Sequence, residues 1–286
     1  MVEMMKAYPI KTRYIKPGEN FIPIVIESLK NSNIKLNDGD FVVLSEKMVS
    51  TSENNFVDER EVKPKFWAYF TYYWSKYLWG YILGPLLGTR KDRVKNLRKM
   101  PKKETLRHKQ VVIDHVGLIY ALKPASEGGV DLTNVPGSYA SLLPKEPKKW
   151  AEKLHKKIKE EFDVDVVVMV VDTDATYRFF KWYVTALPYA IDGIISGIGV
   201  LGYIIGKIGK RLGVGGLVGA TPLAIAGNEI YKKYPLEKIL KIADLADRSH
   251  ITTKSIHDVM KKYNTFEITI EILEELEHTP VVVVKV

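Results

Sequence analysis

The chain has 286 residues, a formal net charge of +9, 46% hydrophobic and 27% charged residues, and no cysteine. That length and balance belong to a folded chain with a real core and not to a disordered one. The missing cysteines exclude disulfides, thiolate metal sites and a cysteine nucleophile. The N-terminal segment, Met1 to Thr12, has no uninterrupted apolar core, so no secretory signal is expected and the chain reads as intracellular.

In chain order, residues 8–60 read as strand, helix, strand. Phe21 to Leu29 carries apolar residues at helical spacing, and Phe41 to Leu44 is a short apolar strand after the turn Asn37-Asp38-Gly39-Asp40. Ten of the sixteen residues from Phe66 to Tyr81 are Phe, Trp or Tyr. The stretch from Arg90 to Lys109 holds ten Lys or Arg against two acids, a local +8 that accounts for nearly all of the chain's +9. Such a run suits anionic lipid headgroups or nucleic-acid phosphates, though a solvated basic face is its ordinary meaning; nucleic acid is not the expected partner.

Val111 to Ile113 and Leu118 to Leu122 read as two further strands around Gly117. Pro147 to Phe162 is an amphipathic helix, with Trp150, Leu154, Ile158 and Phe162 at steps of four. Val164 to Val171 is nearly all β-branched, as in a strand covered on both faces, and its C-terminal end delivers Asp172. Half of the 20 glycines lie between Gly193 and Gly219. Val184 to Gly206 holds a single charge, Asp192, and is long enough to cross a bilayer, against which stand that aspartate and Pro188. Its glycine spacing also suits close helix packing at a subunit interface, the reading preferred here. Val281 to Val284 reads as a closing strand.

The chemistry gathers in two phrases. Gly128-Gly129-Val130-Asp131-Leu132-Thr133-Asn134 and Val170-Val171-Asp172-Thr173-Asp174 each set carboxylates at the end of a glycine-led or apolar stretch. Oxygen donors of this kind suit hard cations, magnesium or manganese, whose shells phosphates often complete. The same residues also serve as turn caps and strand ends in any fold.

The run Gly-Gly-Val-Asp-Leu-Thr-Asn-Val-Pro-Gly at 128–137 resembles the signature of the F420-0:gamma-glutamyl ligase family. Gly39 to Ser50, Leu142-Leu143-Pro144 onward, and Val166 to Thr173 fit the same family in the same order. The resemblance implies an α+β fold of mixed sheets with flanking helices, one ligase-like domain over 1–286. It leaves 63–110 (aromatic plus basic) and 184–228 (glycine-rich, apolar) as insertions. It further implies GTP-driven ligation of glutamate to a carboxylated acceptor, coenzyme F420-0, by a cytoplasmic homodimer. Asp131, Asp172 and Thr173 match the family's metal positions, and Glu274, or else Glu277, is the nearest candidate for a further carboxylate ligand. Asn134, with Ser45, Lys47 and Arg13, would contact the nucleotide. Three departures stand out: Thr51 where the family has a lysine, Asp174-Ala175-Thr176 after the Asp-Thr pair, and Glu271 to Glu277 in place of a glycine loop. They open a second reading, a repurposed relative that docks on membrane surfaces through residues 66–110.

Overall fold

Val42, Val43 and Leu44 from one strand and Val167 to Val170 from another are all buried, so both faces of these strands are covered. The computed structural model describes residues 5–132, 138–250, 263 and 269–286. Its elements run in this order: β1 (Lys6–Thr12), α1 (Phe21–Asn31), β2 (Phe41–Ser45), α2 (Glu46–Ser52), β3 (Phe56–Asp58), a 3-10 turn at Glu59–Glu61, and α3 (Phe66–Tyr73). The last continues through π-helical turns at Trp74–Leu83 into α4 (Gly84–Leu86). Then come α5 (Lys91–Lys99), α6 (Lys102–His115), α7 (Leu118–Ala121), β4 (Tyr139–Ser141), α8 (Pro147–Phe162), β5 (Val167–Phe179), β6 (Trp182–Thr185) and β7 (Ile194–Ile195). The chain ends with α9 (Val200–Arg211), β8 (Gly215–Gly227), a 3-10 turn at Glu229–Lys233, α10 (Leu236–Ser249), α11 (Ile270–Glu274) and β9 (His278–Lys285).

The main sheet has the order β1-β9-β2-β5-β6-β7, with β8 pairing antiparallel along β5. Alternation along each strand divides the core in two. Val42, Leu44, Val168, Val170, Val281 and Val283 face α1 and α8. Phe41, Val43, Val167, Met169, Val282 and Val284 face Ile239, Ile242, Ala243 and Ala246 of α10. The fold is therefore α+β, a mixed sheet with helices on both faces. A small sheet of β3 and β4 and the helices α3 to α7 build separate clusters beside it.

The amphipathic helix at Pro147–Phe162 and the strands at Phe41 and Val281 fall where the sequence put them, and the strand expected over Val164 to Val171 is present but begins at Val167 and continues past Asp172 to Phe179. Two expectations are corrected. Val111 to Ile113 and the run from Leu118 are not strands; they lie in α6 and α7. Val184 to Gly206 is no span, because it breaks into the end of β6, a loop, β7 and the start of α9. Among the described residues no helix is long and apolar enough to cross a membrane. The glycines of α9 are used within the chain. A Cβ on Gly202 would overlap the Thr185 carbonyl, and one on Gly206 the ring of Tyr177.

Candidate functional site

β2 and β5 run parallel in a fixed register, with Ser45 opposite Val171. β2 stops there while β5 runs on to Phe179, so Glu46 and Asp172, the next residue of each chain segment, lie where the parallel pairing ends, at the carboxyl end of β2, the kind of place where such sheets hold ligands. Ser45 caps α2, receiving the backbone N–H of Lys47 on its Oγ at 3.3 Å and donating to Glu46 Oε2 at 3.2 Å.

Asp131 arrives from a loop. Gly128 and Gly129 adopt φ of +61° and +78°, a region that favours glycine, and a Cβ on Gly129 would lie 2.5 Å from Leu143. Past this turn Asp131 exchanges backbone hydrogen bonds with Ser141, which fixes where its carboxylate stands. The described residues of the loop end at Leu132, so Asn134 lies outside them.

The result is a cavity of about 200 Å³ lined by Glu46, Asp131, Asp172, Thr173, Asp174, His108 and Glu127, among others. Two lysines reach its carboxylates. Lys47 Nζ donates to Asp131 Oδ2 at 2.6 Å, and Lys123 Nζ donates to Asp174 Oδ2 at 2.8 Å. Burial, with Asp131 adding to it against the pull of Lys47, pushes the Glu46 carboxyl up to about 7. Burial together with Glu46 and Asp174 holds Asp172 well above the usual carboxylate range. Asp174 is raised for the same first reason, against the pull of Lys123. A cluster whose members raise one another in this way is short of positive charge.

The donor set is all oxygen, which suits a hard divalent cation. As the side chains stand, among the described residues no three ligating groups converge on one point. The lysine ammoniums occupy Asp131 and Asp174 in the manner of counter-ions.

Behind the cavity lies a buried polar network. His108 sits between Glu59, 2.7 Å from Nδ1, and Glu127, 3.4 Å from Nε2. Lys109, fully buried, donates to Glu127 Oε1 at 2.6 Å and to the carbonyls of Ala121 and Lys123 at 2.7 and 2.9 Å. Burial alone would lower the His108 pKa, but hydrogen bonds to Glu127 and Glu59 outweigh it and hold the pKa up to about 10.

The profile of the F420-0:gamma-glutamyl ligase family matches residues 9–285 of this chain. The chain belongs to that family. It is 68% identical over 282 residues to an uncharacterized protein of Methanocaldococcus jannaschii, covering 99% of this chain and 97% of the relative. It is 24% identical over 189 residues to a coenzyme F420:L-glutamate ligase of Methanopyrus kandleri, 64% of each chain. The same identity over 216 residues, 73% of each chain, relates it to a coenzyme F420:L-glutamate ligase of Methanothermobacter thermautotrophicus.

Of the positions that the gamma-glutamyl ligase resemblance singled out, Asp131, Asp172 and Thr173 line one cavity, and Ser45 and Lys47 adjoin it through Glu46 and Asp131. Glu274 and Arg13 do not share it. They line a second cavity of about 430 Å³ with Tyr14, Lys16 and Glu19, where Glu274 pairs with Lys16 at 2.7 Å and Arg13 with Glu19. Thr51 is buried on α2 and donates to the Lys47 carbonyl. Lys47 stands one turn earlier on that helix and so on the same face, a relation set by helical and not strand geometry.

Sequence reasoning missed Glu46, Lys123 and the His108–Lys109–Glu127 network, and it noted Asp174 without giving it a role. A signal for Glu46 was present: if Phe41 to Leu44 and Val164 to Val171 are parallel neighbours, the residues just beyond their ends must meet.

Proposed function

We propose that this chain ligates an amino acid, L-glutamate, to a carboxylated acceptor such as coenzyme F420-0, driven by a nucleoside triphosphate, GTP by family resemblance. The observation that carries the reading is the meeting of Glu46, Asp131, Asp172 and Asp174 with Lys47 and Lys123 around one cavity in a chain of this family.

A carboxylate is a poor electrophile in water, so amide formation needs activation. In the proposed reaction the γ-phosphoryl group moves to an oxygen of the acceptor carboxylate and the nucleoside diphosphate leaves. The glutamate amine then attacks the acyl carbon, the C–N bond forms, inorganic phosphate departs, and the amine gives up a proton. Glu46, Asp131 and Asp172, with the Thr173 hydroxyl, would hold magnesium or manganese. When bound, such an ion neutralises phosphate charge and orients the oxygens for in-line transfer. Lys47 and Lys123 supply fixed positive charge at the same cavity, which supports the reading although Thr51 stands in place of the family's lysine. Asp174, another departure, brings its own partner in Lys123. A homodimeric assembly belongs to the same proposal.

The test is calorimetric titration of GTP, with and without manganese, into the wild-type protein and Asp172→Asn, followed by incubation of coenzyme F420-0 with labelled glutamate. Metal-dependent binding that the variant loses, together with label transfer, is the expected result. Unchanged metal-dependent binding in Asp172→Asn would remove the site assignment, and binding without label transfer would remove the acceptor.

A further inference from the structure

The continuous helix from Phe66 through the π-helical turns to Leu86 carries aromatic residues on its outer as well as its covered side. Its covered side carries Tyr72 and Trp79 together with the small residues Ala68, Thr71, Ser75, Gly80 and Gly84. A Cβ on Gly84 would come within 3.1 Å of Val94, and one on Gly80 within 3.3 Å of Arg98, so these small residues let α5 approach closely. The outer side carries Phe66, Phe70, Tyr73, Tyr77 and Tyr81, every one more than 40% exposed. Steps of three and four residues keep them in one stripe. Each ring carries about 150–250 Å² of surface that a core would normally claim, and here about half of each lies outside it.

The stripe is bordered by cations. Arg98 lies over the Tyr81 ring at 4.4 Å, and Lys102 over Tyr69 and Tyr73 at 6.0 and 5.7 Å. Beside it opens a cavity of about 680 Å³ lined by Tyr69, Arg60, Lys63, Lys102, Lys103 and Arg107, with Glu61 as its acid. α5 exposes further lysines and arginines along the same edge.

We propose that this edge docks onto the surface of an anionic lipid bilayer. The ring edges and hydroxyls of the stripe enter the interfacial layer, and the cations of α5 and α6 meet lipid phosphates. The helix lies in the plane of the membrane, since among the described residues none can cross it. Nucleic acid fits less well. Tyr73 stacks towards Tyr77 at 13° and Tyr77 towards Tyr81 at 22°, so the faces between them are turned to one another, and base stacking needs open faces. A second copy meeting this edge by two-fold symmetry would set one basic run against the other. The proposal stands apart from the ligase reading, because it uses none of the carboxylate cavity.

The experiment is co-sedimentation of the full chain with vesicles of equal parts phosphatidylglycerol and phosphatidylcholine, and with phosphatidylcholine alone. Wild type should bind the anionic vesicles only, and release at high salt. Tyr73→Ser with Tyr77→Ser, and separately Lys102→Glu with Lys103→Glu, should each lower partitioning about tenfold or more, with unchanged thermal melts showing that the variants fold. Failure of wild type to bind anionic vesicles at low salt overturns the proposal, as does binding that neither pair of substitutions weakens. Sedimentation velocity covers the remaining case. A dimer that the tyrosine variant dissociates, with no vesicle binding, makes the stripe a subunit interface instead.

Discussion

Lys47 and Asp131 meet at 2.6 Å across a separation of 84 residues, joining α2 to the loop after the Gly-Gly turn. The pair ties the sheet end to the helical cluster at the mouth of the cavity. Burial works against the lysine's charge, but Asp131 and Glu46 outweigh it and raise the pKa, so the ammonium persists at neutral pH.

Lys47→Met is expected to weaken GTP binding at least tenfold, about 1.4 kcal/mol. Its effect on stability should stay within about 1 kcal/mol, because the Asp131 side chain is 43% exposed and water can replace its partner. Calorimetry beside thermal melts separates the two. A large fall in melting temperature with unchanged nucleotide affinity would make Lys47 a structural counter-ion only.

Manganese affinity should depend on pH through Glu46. Its carboxyl is held up to about 7, so below that pH a cation must displace a proton, and affinity falls by up to about tenfold per unit. Glu46→Gln should flatten that profile. An equally steep profile in the variant would point to another titrating group.

His108 gives stability the opposite pH signature. Its folded pKa of about 10 lies above the ordinary 6.5, so the imidazolium's contribution is fully present below about pH 6.5 and disappears as pH rises through 10. His108→Leu should cost about 3 kcal/mol at pH 6, the scale for breaking a buried pair, and less at pH 10. Urea unfolding at both values checks this, and a loss independent of pH would assign the effect to packing.

Gly206→Ala sets helix propensity against space. Alanine gains about 1 kcal/mol in a helix interior, but its Cβ would overlap the Tyr177 ring, and overpacking costs about 1–3 kcal/mol. Net destabilisation is expected in chemical denaturation, whereas a more stable variant would mean that Tyr177 moves aside freely.

What could be read from the sequence follows from how many residues vote together. Trp150, Leu154, Ile158 and Phe162 repeat over four turns, so the helix Pro147–Phe162 was legible to its ends. Val111 to Ile113 is only three residues long, and a short β-branched run carries no period of its own. There the helix α6 is decided by burial of Val111 and Val112 against its neighbours. The aspartates of the site were legible because a glycine turn marks Asp131 and an unbroken apolar run leads to Asp172, although β5 continues beyond it. Lys123, Glu127 and His108 were not, since their partners come from distant segments: Asp174 pairs with Lys123 across 51 residues and Glu59 with His108 across 49.

The parallel pairing of Phe41 with Val167 also bears on how the molecule comes into being. The helices α3 to α7 lie between these strands in the chain and contact one another largely locally, so they can form early. β5 can pair locally with β6, but β2 reaches β5 only by closing a long loop, and such closure is slow. The carboxylate cavity exists only after that step. During refolding, helical content should therefore recover ahead of the capacity to bind manganese.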